Sequence, residues 1–246
     1  MVDIKGLLKN VRHGGWYTNS GEEIYAKVEG LKSITDDLRK VESEIHSKES
    51  GFSTSDVSEK CMENYKACQQ PGFLLGKFKE ILQDPIMLEA RERLTERFNS
   101  GKLWHSELAV HAFDSVAGNI SPKEAFDVVD FITTNPEAKT TIITGASSSI
   151  WSLSSMMKNA AAEDRLKILT YLEQDNFLPD LMENIRTDGD AVANFFVNTF
   201  KDAEVETALT MLKTSPSWDV VAKDQNLRYS ITKHDQRLIP ALDPDF

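Results

Sequence analysis

The feature that most constrains the fold is a succession of helix-opening signals in the second half of the chain. Residues 119 to 137 read NISPKEAFDVVDFITTNPE and contain two such signals, Ser121-Pro122 and Asn135-Pro136. A Ser or Asn N-cap followed by proline at the first helical position is a common start of a helix. Counting these two, consecutive openings are thirteen or fourteen residues apart, the others being predicted near Ser148, Ala162, Asp175, Asp188, Asp202 and Ser215.

Helices of equal length joined by minimal turns must lie antiparallel to their neighbours. The pattern therefore predicts a unit of two helices and about 27 residues, which stacks into a short α-solenoid or curls into a compact bundle. Residue identities do not recur at this spacing, so a coincidence of helix length stays an open alternative. Within the array, the helical spacing of Phe195, Phe196 and Phe200 predicts core positions.

A second constraint is a long amphipathic segment near the N-terminus. Ser20 and Glu23 have the spacing of a capping box, and the helical pattern continues from residue 21 to about residue 48. Steps of three and four place seven apolar residues on one stripe, which are Ile24, Val28, Leu31, Ile34, Leu38, Val41 and Ile45.

Because such a band is unstable in water, the stripe predicts an interaction site, and its helix an assembly element. This interpretation requires residues Glu49 to Ser55, which are rich in Gly, Ser and Thr, to be a flexible linker. If they form a tight turn, the stripe instead packs against the helix that begins near residue 55.

The fold class predicted from these patterns is all-α, because nearly every segment has helical spacing and no β-branched alternation is bounded by hairpin turns. We expect an N-terminal assembly segment at 1–50, a helical subdomain at 51–118, the short-helix array at 119–222 and an extended tail at 223–246. The tail prediction rests on lost periodicity and on Pro240 and Pro244. Its apolar residues would pack on the body or dock on a partner.

Charge and composition exclude several classes of partner. The formal net charge is −11 over 246 residues, whereas nucleic acid and anionic membranes select clustered Lys and Arg. Residues Thr140 to Met157 are uncharged, but nine of these eighteen residues are Ser or Thr, so they predict a buried pair of short helices and no membrane insertion. Cys61 and Cys68, seven residues apart on one predicted helix, lie beyond disulfide reach and are predicted to be reduced thiols in packing positions. The first fifteen residues have charges every few residues and no apolar block resembling a secretory signal, so we expect a cytoplasmic protein.

One group of side chains has the elements of a catalytic or metal site. Glu107, His111 and Asp114 fall on one face of a predicted helix, with an imidazole between two carboxylates. A second histidine at metal-ligand spacing is missing from this helix, so an exposed ion-pair face is the simpler interpretation. We predict no metal, cofactor or catalytic residue.

These observations favour a non-enzymatic adaptor or structural subunit of a larger assembly, such as a bacterial secretion machine. Its partners would be other proteins, bound through the 21–48 helix, the acidic stretch 163–206 or the C-terminal tail, and a homo-oligomer is an option. The alternatives are a viral or phage structural protein, and an enzyme or secreted effector with a site assembled around His111.

Overall fold

The computed structural model describes residues 19–47, 57–88, 107–185 and 188–242. These residues are 86% helical and contain no strand, which confirms the all-α fold class. The chain divides into two compact units, unit 1 at 1–120 and unit 2 at 121–246. This division falls within two residues of the boundary that the sequence places before the helix array. No helix in the described ranges has the length and apolar character that crossing a membrane requires.

Unit 1 is organised around one long helix. Its described helices are α1 (Asn19–Ser47), α2 (Glu59–Cys68), α3 (Phe73–Leu82) and α4 (Glu107–Ala117). α1 packs against each of the other three, whereas α2 and α4 both also contact α3. The predicted linker, Glu49 to Ser55, lies outside the described residues.

The apolar stripe of α1 is the core of unit 1. Five of its seven residues are at most 3% exposed, and these are Ile24, Val28, Leu31, Leu38 and Val41. Ile34 is half-buried, and Ile45 packs against a cluster formed by Val41, Val57 and Cys61. The stripe is thus covered by other helices of the same chain, as in the alternative in which it packs within the chain and not on a partner.

Polar contacts fix α1 against the shorter helices of unit 1. One oxygen of the Asp37 carboxylate accepts a hydrogen bond from the Cys61 thiol at 3.0 Å, and the other accepts one from the Asn64 amide at 2.6 Å. Both bonds lower the pKa of Asp37 below its usual value, and the bond from Cys61 makes the larger contribution to this shift. Near the other end of α1, the Lys27 ammonium lies 2.6 Å from the Asp84 carboxylate.

Unit 2 is an array of short helices. In chain order these are α5 (Pro122–Thr134), α6 (Pro136–Thr144), α7 (Ala146–Asn159), α8 (Ala162–Leu172), α9 (Phe177–Asn184), α10 (Gly189–Phe200), α11 (Val205–Thr214), α12 (Pro216–Lys223), α13 (Gln225–His234) and the short α14 (Ile239–Leu242). Single 3-10 turns precede α9 and α14.

Local capping chemistry sets where several of these helices begin. The side chains of Ser121, Asn135, Asp188 and Ser215 each accept a hydrogen bond from a backbone N–H in the first turn of the following helix. Ser121 and Glu124 form a complete capping box. These four openings are confirmed at the predicted residues, and the predicted pair of short helices across 140–157 corresponds to α6 and α7.

Contacts in unit 2 recur at every third helix. α5 packs on α8, α6 on α9 and α7 on α10, and then α9 packs on α12 and α10 on α13. The helices therefore form three tiers, tier 1 with α5 to α7 (122–159), tier 2 with α8 to α10 (162–200) and the shorter tier 3 with α11 to α13 (205–234). The two-helix unit of about 27 residues is not confirmed, because helix length reveals spacing along the chain but not which helices meet.

Two charged side chains connect elements of unit 2, Arg165 around tier 2 and Glu173 between tier 2 and tier 3. Arg165, which is buried on α8, donates hydrogen bonds to the backbone oxygens of Ala160 and Asn198 and pairs with the Asp202 carboxylate at 2.6 Å. Glu173, at the end of α8, accepts hydrogen bonds from the hydroxyls of Ser215 and Ser217 at the start of α12. The beginning of α12 is thus stabilised by a carboxylate from the tier before it.

The predicted extended tail at 223–246 is wrong for most of its length. Asp224 caps α13 by accepting hydrogen bonds from the backbone N–H groups of Asn226 and Leu227. Leu227, Ile231 and Leu238 are buried, so this segment belongs to the body of unit 2. Pro240 lies inside α14, and Pro244 is outside the described residues.

Candidate functional site

The structure leaves little exposed surface on the predicted interaction stripe. Its residues lie against α2, α3 and α4, and only Ile34 and Ile45 are partly accessible. An interaction through Leu31 or Leu38 would therefore require α1 to separate from these three helices, which would expose the core of unit 1.

The residues that the structure describes do not form a metal site around His111. His111 is half-buried on α4, Asp114 on the same helix is exposed, and the side chain of Glu107 lies outside the description. The described ranges contain no group of three or more His, Cys, Asp or Glu side chains that could hold a metal ion.

The acidic stretch 163–206 is not one continuous free surface. Several of its carboxylates are engaged between helices: Asp202 pairs with Arg165, and Asp188 accepts a hydrogen bond from the indole of Trp151 at 2.8 Å. Asp190 lies 3.3 Å from the ring of His234. These carboxylates serve mainly to join one helix to the next, and docking of a basic partner on this stretch stays a prediction.

A different surface has the features of a binding site, and it lies on tier 3. An open groove of about 480 Å³ is lined by the end of α12 and the outer face of α13, through the side chains of Lys223, Gln225, Arg228, Tyr229 and Thr232. The lining contains two cations, an amide, a hydroxyl and a phenol, and it contains no carboxylate. We call it the tier-3 groove.

Helix geometry explains why these side chains share one face. At about 100° per residue, Gln225, Arg228, Tyr229 and Thr232 fall on one side of α13, opposite the buried Leu227 and Ile231. The side of α13 that meets α10 is marked by Ser230, whose hydroxyl lies 2.6 Å from where a Cβ on Gly189 would be. Close packing on tier 2 therefore turns the groove-lining face of α13 away from α10.

Neither cation of the groove is neutralised within the described chain. Lys223 and Arg228 form no ion pair and no side-chain hydrogen bond with any described residue. This differs from Arg165 and Arg237, both of which are held by carboxylates at 2.6 Å. Within the part of the chain that the structure describes, the charged ends of Lys223 and Arg228 are therefore available to a ligand.

The groove also holds the most exposed large hydrophobic side chain in the described ranges. Tyr229 is 70% exposed, compared with 42% for Trp151 and 41% for Tyr171. The other two also have partners, because the Trp151 indole donates to Asp188 and the Tyr171 ring packs edge-on against Phe126. Tyr229 has no comparable ring or side-chain hydrogen-bond partner among the described residues.

Reasoning from the sequence missed this groove, because residues 223–246 were interpreted as a tail. A signal was present in Asp224, which has the N-cap residue type, followed by Leu227 and Ile231 at helical spacing. Only two of the ten residues of α13 are buried, so its buried stripe is too narrow for the helix to be predicted from periodicity alone. The groove further depends on the pairing of α12 with α13, which the sequence does not specify.

No family model matches this chain, and comparisons with curated proteins and with solved structures likewise give no match.

Proposed function

We propose that this protein is a non-enzymatic interaction subunit, and that it binds a partner protein through the tier-3 groove. The observation that carries the proposal is the exposure of Tyr229 between two cations that have no carboxylate partner. Tyr and Arg are the residue types, together with Trp, that supply most of the binding energy at protein interfaces.

Structural roles do not account for Tyr229. The terminal tier of a helix array needs a polar outer face, and Lys223, Gln225 and Arg228 alone would provide one. An exposed phenol adds apolar surface to that face and contributes nothing to the core of unit 2. A binding role explains both the ring and the two cations beside it.

Site-specific photo-crosslinking in cells that express the chain tests this proposal. A benzophenone amino acid placed at position 229 should form a covalent adduct with one discrete protein, because the groove would hold the partner against it. The matched control carries the same amino acid at position 171, another exposed tyrosine of unit 2. We expect at least several times more adduct from position 229 than from position 171.

Equal labelling from both positions, or labelling only of abundant proteins at random, would overturn the proposal. An adduct with a second copy of this chain would identify the interaction as self-association through the same groove. Circular dichroism of each labelled variant checks that the helical content is unchanged, so that a lost adduct is not caused by unfolding.

A further inference from the structure

We infer that the tier-3 groove recognises a short acidic segment of its partner, in which carboxylate side chains flank an aromatic or aliphatic residue. The inference rests on the proposed function and names the chemistry of the partner at that same site. Its basis is the combination of two uncompensated cations with an exposed ring and hydrogen-bonding neighbours.

The charge of the surrounding surface limits how large the anionic ligand can be. Unit 2 contains 20 Asp and Glu and 12 Lys and Arg, so it carries −8 of the chain's formal charge of −11. A long polyanion such as nucleic acid, or an anionic membrane, would meet net repulsion outside the groove. Since charges are screened beyond about 8 Å at physiological salt, a ligand with a few negative charges placed at the groove is attracted locally.

The hydrogen-bond donors around the groove favour carboxylates over a phosphate group. Phosphate sites on helices use the free backbone N–H groups of the first turn. In α13 the Asp224 carboxylate already accepts from the N–H groups of Asn226 and Leu227, so those donors are occupied and a negative charge stands beside them. A phosphate dianion could not use these N–H groups. A monoanionic carboxylate needs only the planar guanidinium of Arg228 and the ammonium of Lys223.

The remaining lining residues indicate what else the ligand must offer. The Thr232 hydroxyl donates to the backbone oxygen of Tyr229, which leaves its lone pairs to accept a hydrogen bond from a peptide N–H. Gln225 supplies both a donor and an acceptor. The Tyr229 ring provides an apolar face, so an aromatic or aliphatic side chain next to the carboxylates completes the match.

Binding of defined peptides to the full-length protein tests the inference. The acidic probe is a fluorescein-labelled, end-capped peptide with the sequence GEDFEEG, and the matched probe GQNFQQG keeps the shape but removes the charge. We expect the acidic probe to bind at least about tenfold more tightly, because charge-assisted hydrogen bonds are stronger than neutral ones. Fluorescence anisotropy at several salt concentrations measures the dissociation constants.

Charge reversal locates the binding. The variant K223E/R228E should weaken the acidic probe at least about tenfold. The control K213E/K233E makes the same change in net charge at exposed lysines of α11 and α13 that do not line the groove. It should change affinity by no more than about twofold. Y229A should weaken both probes by a similar factor, since it removes the apolar contact that they share.

The outcomes separate this inference from the proposed function. Equal affinity for the acidic and amide probes, or equal loss in both charge-reversal variants, overturns the acidic-segment inference. If the position-229 adduct nevertheless persists in K223E/R228E, the groove still binds a protein and only its charge preference is wrong. Tighter binding of a phosphoserine version of the probe than of GEDFEEG would overturn the choice of carboxylate.

Discussion

Unit 1 and unit 2 are both helical, but they bury their apolar surface in different ways. In unit 1 a single 29-residue helix, α1, supplies one stripe that three shorter helices share. In unit 2 no described helix is longer than 14 residues, and each tier is covered mainly by its neighbours. The first unit therefore depends on one long helix, whereas in the second a short helix, α10, makes the most extensive contacts, with α7 and α13, and the other helix pairs pack over smaller areas.

Charge follows the same division. Unit 1 contains 19 Asp and Glu and 16 Lys and Arg, and so carries −3, compared with −8 for unit 2. In unit 1 the carboxylates of Asp37 and Asp84 are held in side-chain bonds to other helices. In unit 2 Arg165 and Arg237 are paired with carboxylates, whereas Lys223 and Arg228 of the tier-3 groove have no ion-pair partner among the described residues.

The largest expected effect comes from placing charges in the stripe of α1. L31D/L38D puts two carboxylates at positions that are 2% and 3% exposed, and each buried unpaired charge costs several kcal/mol. We expect loss of the whole of unit 1, while unit 2 keeps its amide protection. Hydrogen exchange followed by mass spectrometry resolves the two regions.

The control for this variant is S33D/S43D, which adds the same charge to exposed positions of α1. It should leave protection of unit 1 unchanged within about 1 kcal/mol. If α2 to α4 instead keep their amide protection in L31D/L38D while binding of a partner is lost, the stripe is an assembly site and not the shared core of unit 1.

A smaller, more local loss is expected from a cavity in unit 2. Phe196 on α10 is fully buried and makes ring contacts with Phe195, Phe200 and Trp218. F196A should reduce the free energy of unfolding by about 3 to 5 kcal/mol. Loss of protection should be greatest in α7, α8, α10 and α13, because α10 packs on the other three. An equal loss of amide protection throughout unit 1 and unit 2 would show that the effect of F196A is not local to the helices around α10.

The close approach of α13 to α10 predicts a modest overpacking effect. A Cβ at Gly189 would lie 2.6 Å from the Ser230 hydroxyl and 3.2 Å from its Cβ, so G189A should destabilise unit 2 by about 1 to 2 kcal/mol. In the S230G background the same change should cost less, giving a favourable coupling in a double-mutant cycle. Urea denaturation measures all four proteins, and additive effects would show that the two residues do not meet.

The smallest expected effect is a pH dependence that is stronger in unit 1. Burial raises the pKa of Asp84, but hydrogen bonds from the Lys27 ammonium and the Ile86 N–H outweigh it and leave the pKa below its usual value. The bond from Cys61 lowers the pKa of Asp37 as well. Since the unfolded pKa is about 3.9, this stability is complete above that pH and is lost as the pH falls through the lower folded values.

In unit 2 the corresponding group among the described residues is Asp235. Burial raises its pKa, and hydrogen bonds from the side chain and backbone N–H of Arg237 bring it below the usual value. Acid titration followed by hydrogen exchange should therefore open unit 1 at a higher pH than unit 2. D84N should reduce this difference, whereas E63Q, at an exposed position of α2, should leave it unchanged.

The features that could be predicted from the sequence are those that depend on residues close together in the chain, such as helix caps and core positions within a helix. Ser121, Asn135, Asp188 and Ser215 could be assigned as caps because a cap needs only the next three residues. The burial of Phe195, Phe196 and Phe200 followed from their spacing. The stripe of α1 could be recognised as a buried surface, but amphipathicity does not specify what covers it. The partners α2 to α4 lie up to about 70 residues away in the chain.

The tier period and the tier-3 groove could not be predicted for a related physical reason. Both depend on which helices meet across about 40 residues, and contacts such as Gly189 with Ser230 leave no repeating residue pattern. α13 was missed because most of its surface is polar, and its two buried residues, Leu227 and Ile231, are too few to establish a period. The candidate site lies where the sequence is least periodic.

The shared stripe of α1 also has a consequence for biosynthesis. α1 leaves the ribosome complete at residue 47, but its last partner, α4, ends at residue 117, roughly 70 residues later. At about 5 to 20 residues per second, the stripe stays without its full cover for roughly 4 to 14 s during each round of translation. A nascent chain in this interval exposes Ile24, Val28 and Leu31 to chaperones. The stripe that is buried in the folded protein is thus accessible while the protein is being made.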